Sequence, residues 1–157
     1  MRLTFYFTIC LYFLGSSLWA QDEPPTAISY NEELASRLGG DKHGMKAYYM
    51  ALLKPGTNRS QSDAEAAEIQ KGHMQHIMQM AESGKLVLAG PFLEASDFRG
   101  IFIFDVATRE EAEALTQSDP AVKSGRLEMV LIKWYGSAAL KEVNAIHAQI
   151  QKKSISN

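Results

Sequence analysis

Three residues stand out, by position and spacing, as candidates for moving protons or holding a metal: His73, His76 and Asp119. Imidazole is the group whose charge changes near neutral pH, so a histidine is the first place to look for a general base. His73 and His76 form a His-x-x-His pair, which places two metal-ligand types on one helical side. Zinc takes three or four ligands, and no carboxylate motif accompanies the pair, so the spacing alone does not make a metal site. Asp119 precedes Pro120. Aspartate followed by proline is also an ordinary helix start, with the carboxylate as cap and proline at the first helical position.

His73 stands out because of where a helix would carry it. The stretch "KGHMQHIMQMAESGKLVLAGPF" runs from Lys71 to Phe92. Its first part has helical periodicity, and Gly84 marks the end. At 100° per residue, His73 lies about 40° from Ile69, among Ala66, Ile77 and Met80. Lys71, Gln75, Gln79 and Glu82 take the opposite arc, and His76 sits at the margin of the apolar stripe. An imidazole inside such a stripe is either a core residue satisfied by one hydrogen bond or a base held out of water.

The elements that must position these residues can be read from periodicity and from glycine and proline punctuation. A short helix follows Asn31 and ends at Gly39-Gly40. A strand spans Met45 to Gly56, and the long helix runs from about Ser62 to Ser83. "KLVLAG" is a second strand ended by Gly90-Pro91, and "RGIFIFDV", Arg99 to Val106, is a third. Thr108 and Glu111 offer a capping box for a second helix, "TREEAEALTQ". "SDPAVKSG" is a loop or short turn, "RLEMVLIKWY", Arg126 to Tyr135, is a fourth strand, and a C-terminal helix follows Ser137. Strand, helix, strand, strand, helix, strand is the order of an α+β ferredoxin-like βαββαβ fold with a four-stranded antiparallel sheet.

A sheet with helices on one face and water on the other should alternate apolar and polar residues. "GIFIF" and "YYMALL" do not alternate, so both faces of this sheet call for a cover. A second copy of the chain supplies one, giving a homodimer. The C-terminal helix is the alternative cover.

Residues 1–20 have the layout of a signal peptide: Arg2, an apolar run from Leu3 to Leu14, then small residues ending at Ala20. Cleavage there predicts an exported protein, periplasmic or secreted. The alternative is an uncleaved anchor, but the run is shorter than the about 20 apolar residues a span requires. Residues 21–44 are then a flexible leader and short helix, 45–136 the α+β domain, and 137–157 the C-terminal helix. Cys10 is the only cysteine and lies in the leader, so the remaining chain holds neither a disulfide nor a thiol nucleophile. The formal net charge of -2 becomes -3 once Arg2 leaves. That acidity, without a basic cluster interleaved with aromatics, argues against nucleic-acid binding. No motif for a metal or cofactor is present, and none is expected.

The quoted stretch, with "RGIFIFDV", "EEAEAL", "DPAVKSGR" and "KWY", resembles the YciI-like (YCII-related) family over about Met45 to Tyr135. The matching positions are His73, Gly84, Gly90-Pro91, Glu111-Ala112, Asp119-Pro120, Gly125 and Trp134. The resemblance implies a ferredoxin-like fold of the dimeric α/β-barrel type. It also implies a cleft in which His73 and Asp119 form a catalytic pair. An aspartate bonded to one imidazole nitrogen fixes the tautomer and leaves the other nitrogen free to take a proton. The implied chemistry is lyase- or isomerase-type proton transfer on a small oxygenated cyclic compound. The leader and the two extra helices depart from the family pattern. They keep open a second class of function: a non-catalytic module, binding a small ligand or an envelope partner on the same scaffold.

Overall fold

The computed structural model describes residues 29–153. The expected leader, its cleavage point after Ala20, Cys10 and nearly all of the flexible segment before Asn31 lie outside these residues. Among the described residues no helix is long and apolar enough to cross a membrane.

Four strands form one antiparallel sheet: β1 (Met45–Pro55), β2 (Leu86–Pro91), β3 (Gly100–Phe104) and β4 (Leu127–Ser137). Their spatial order is β2-β3-β1-β4. β1 lies in the middle, pairing Tyr49 with Phe104 on one side and Met50 with Ile132 on the other. This is the βαββαβ arrangement that the element order implies. Its bounds differ from the sequence expectation by one or two residues at most strand ends. Helix α1 (Glu32–Leu38) precedes β1, with the Asn31 side chain accepting from the Leu34 N–H and Gly39 as left-handed C-cap.

Helix α2 (Asp63–Glu82) begins in a full capping box. The Ser62 hydroxyl takes the Glu65 N–H while the Glu65 carboxylate returns to the Ser62 backbone. Helix α3 (Arg109–Ser118) has only half of the box expected at Thr108. The threonine caps the Glu111 N–H, but the Glu111 carboxylate turns instead to Lys85, 3.1 Å away. Residues expected as a loop or short turn form a one-turn helix, α4 (Pro120–Lys123), capped by Asp119.

Period-2 alternation divides the strands between two cores. Tyr49, Ala51, Leu53, Phe102 and Phe104 face α2 and α3, where Met80, Ile77, Ala112 and Leu115 meet them. Tyr48, Val87 and Ile103 face the other way and pack against Trp134 and Leu140. Leu140 belongs to a 3-10 turn (Ala138–Glu142) that leads into α5 (Val143–Ile150). The C-terminal segment thus opens as a 3-10 turn where a continuous helix was expected, and it covers one end of the second face. Further along the same face Val130 and Ile132 remain 43% and 44% exposed. The non-alternating strands are explained at one end by this cover and left uncovered at the other.

Candidate active site

His73 lies on the buried side of α2, where the helical periodicity puts it, and is 7% exposed. Asp119 sits at the junction of α3 and α4 and has no exposed surface. The two meet: His73 Nδ1 is 2.7 Å from Asp119 Oδ2, across 46 residues of sequence. An ionised carboxylate can only accept, so Nδ1 carries the proton in this pair. The second carboxylate oxygen is also engaged, since Oδ1 accepts the Ala121 N–H at 2.8 Å. Asp119 is therefore a helix cap and a histidine partner at once, and the two readings of Asp-Pro do not compete.

Local features bring these groups together. Gly72, beside His73, faces α4. A Cβ on it would stand 3.0 Å from Pro120 Cγ, so the missing side chain lets α4 press against α2. One helical turn further, His76 Nε2 reaches the Leu115 carbonyl at 3.0 Å and the Ser118 hydroxyl at 3.2 Å. This bond ties the end of α3 to α2 just before Asp119. His76 thus faces α3 and not a site shared with His73. Among the described residues no group of three or more histidines, cysteines or acids could hold a metal ion.

The other side of the His73 ring opens on a cleft. The imidazole stacks on Phe102, with ring centroids 6.0 Å apart and planes 21° apart. His73 lines a cavity of about 570 Å³ between α2, the loop before it, and the β2–β3 end of the sheet. That volume suits a small organic molecule. No buried side-chain nitrogen or oxygen among the described residues lacks a partner. Nδ1 is taken by Asp119, and Nε2 of His73 has no hydrogen-bond partner among the described residues. The apolar walls are Leu53, Ile69, Met74, Ile77, Phe102 and Leu127; the polar lining is Gln70 with Arg59, Arg99 and Arg126.

Periodicity marked His73 as anomalous. The three arginines escaped the sequence reading because they lie in three separate segments with no shared spacing. Gly72 also carried no signal: one glycine in a helix reads only as a weak helix former.

The fold is thus an antiparallel four-stranded α+β sheet on which α2 carries a histidine to an aspartate between α3 and α4. A family model for the YCII-related domain matches residues 47–135, more than half of the chain, and the chain belongs to that family. Among solved structures it is similar to the 5-chloro-2-hydroxyhydroquinone dehydrochlorinase TftG from Burkholderia phenoliruptrix AC1100, in complex with 2,5-dihydroxybenzoquinone. That likeness has 17% sequence identity and a TM-score of 0.39, and covers 55% of this chain and 92% of the other. No curated protein matches the chain.

Proposed function

We propose that this protein is an enzyme of lyase or isomerase type in which His73 and Asp119 move a proton on a small oxygenated cyclic compound. One observation carries the reading: an imidazole fixed by a buried carboxylate at Nδ1 lines a cavity, with its Nε2 left unpartnered among the described residues. With Nδ1 protonated, Nε2 presents a lone pair and serves as the base. The apolar walls hold a ring and limit water, and the Phe102–His73 stack offers a flat surface against which it can lie. Asp119 positions the imidazole and stabilises the cation formed when Nε2 takes the proton. The reaction needs no nucleophile, metal or cofactor from the protein.

Two companion features belong to this reading. A second copy of the chain covers the exposed stripe of Val130 and Ile132, making the working form a homodimer. The apolar leader of residues 1–20 directs export, so the substrate is met in an extracytoplasmic compartment.

The test is exchange chemistry. Purified protein in D₂O is incubated with a panel of small phenols, hydroxyquinones and enol lactones, and C–H to C–D exchange and elimination products are followed by NMR. The reading expects turnover of at least one compound class that disappears in His73→Gln. Compounds that shift His73 and Phe102 resonances without exchange, elimination or isomerisation identify a binding module instead.

A further inference from the structure

Three cations converge on the cavity without an acid to meet them. Arg59, Arg99 and Arg126 all line it, and no aspartate or glutamate does. None of the three forms an ion pair among the described residues, whereas Arg37, Lys46, Lys85, Arg109 and Lys141 each do. Asp119 is buried behind the His73 ring and spends both oxygens on His73 and Ala121, so it does not neutralise them. In a chain with net formal charge -2, a basic mouth with no counter-ion is a local reversal of sign.

One of the three, Arg126, is held in place, and the loop that carries Arg59 is anchored beside it. Arg126 is half-buried, and its Nη1 donates to Gln61 Oε1 at 3.0 Å. The amide of Gln61 donates in turn to the Ser124 carbonyl at 3.1 Å, and Asn58 Nδ2 donates to that same carbonyl at 3.0 Å. Gly56 makes this junction possible, since a Cβ there would fall on the Gly125 backbone. The loop that carries Arg59 is therefore stapled to the turn that carries Arg126. Arg99 is less committed: it also borders a shallow cleft with Lys54, Asp97 and Glu128.

We propose that the ligand of this cavity carries a carboxylate on an apolar ring, with Arg126 and Arg59 holding the carboxylate and the ring lying toward Phe102 and His73. This deepens the proton-transfer reading and rests on that reading's choice of cavity. The planar guanidinium fork matches a carboxylate in two parallel bonds, and its weak hydration lowers the cost of using it beside apolar walls. The apolar walls favour a ring carboxylate over a fully hydrated inorganic anion. An anchored carboxylate fixes which ring carbon faces Nε2, so the arginines orient the ligand rather than only attract it.

The probes are benzoate, neutral benzamide and inorganic phosphate, titrated into the purified full chain and followed by NMR shifts of His73 and Phe102. Benzoate is expected to bind at least about tenfold tighter than benzamide, the effect of one charge-assisted bond. It should also outcompete phosphate, and its affinity should fall as salt is raised. Arg59→Gln and Arg126→Gln should each weaken benzoate several-fold or more and weaken benzamide clearly less, since only the carboxylate forms a charge-assisted pair. Arg59 is exposed and makes no side-chain bond among the described residues, so its variant reads the effect free of folding. Equal binding of benzoate and benzamide at His73 and Phe102 overturns the carboxylate inference but leaves the cavity as the site. Phosphate binding as tight as benzoate replaces it with a general anion site. Absence of any shift at His73 and Phe102 removes both the inference and the choice of cavity.

Discussion

Pro120 rests on α2 at Gly72, where even one methyl group would come to 3.0 Å from its ring. This contact sets how near α4 can approach, and so whether Asp119 reaches His73. Gly72→Ala has opposing effects. Alanine favours the helix interior by about 0.5–1 kcal/mol, while the new methyl pushes Pro120 outward by a few tenths of an ångström. Thermal unfolding should therefore change little. The His73 Nδ1 proton signal should move upfield or broaden as its bond to Asp119 lengthens, and proton-transfer activity should fall. Unchanged signal and activity would show that α4 accommodates the methyl without disturbing the pair.

His76 is predicted to be structural. His76→Ala removes a bond from α2 to the Leu115 carbonyl, at a cost of about 1–2 kcal/mol in stability. Binding at His73 should persist once the variant is folded. If the variant matches the parent in denaturant midpoint but loses ligand binding, His76 belongs to the site and not to the frame.

Tyr48 ties β1 to the last residue of β4, donating its hydroxyl to the Ser137 carbonyl at 3.0 Å. Burial, helped by the negative Asp105, raises its pKa to about 12 from the usual 10.0. A folded pKa above the unfolded value stabilises the fold fully below pH 10, and that contribution fades as pH rises toward about 12. Stability measured by denaturant titration should thus decline between those limits. The Tyr48→Phe variant should be less stable at neutral pH, through loss of the Ser137 bond, and should lose less across the alkaline window. Parallel declines in the two proteins would assign the alkaline loss to other groups.

How far the sequence could be read follows from the range of each signal. Element order was plain because the signals are local: Gly84 ends α2, Gly90-Pro91 ends the usable part of β2, and Thr108 starts α3. The position of His73 on the buried side of α2 was equally local, a matter of angle along one helix. What lay beyond reach is contact between segments. The partner of His76 is a main-chain carbonyl, which leaves no residue type to recognise. The arginine mouth is assembled from a loop before α2, the start of β3 and the start of β4. The Asp119–His73 contact could be expected only through family resemblance, since Asp-Pro by itself is satisfied as a helix start. A helix was expected after Ser137; the 3-10 turn that opens the segment depends on Leu140 docking on the second sheet face, which no periodicity reports.

The uncovered part of that second face gives a test of assembly. Light scattering of the purified protein should give twice the chain mass at micromolar concentration. Replacing Val130 and Ile132 with lysine should yield a monomer that keeps its secondary structure, because both side chains are already more than two-fifths exposed within one chain. A parent protein that runs as a monomer at that concentration would leave the stripe without a partner copy.

If Asp119 holds His73 as the Nδ1–H tautomer, Nε2 is free to act as a base. The most direct test is ¹⁵N NMR of the His73 ring in the parent and in Asp119→Asn, with exchange activity measured on the same samples. Asparagine can keep the cap by accepting from Ala121 through its oxygen. Its NH₂ group then faces His73, and Nδ1 must accept instead of donate. Nδ1-protonated imidazole is expected in the parent and Nε2-protonated imidazole in the variant, with an intact fold and activity lower by about 10²–10⁴-fold. An unchanged tautomer with full activity in Asp119→Asn would contradict this, and would leave Asp119 as a helix cap that merely touches His73.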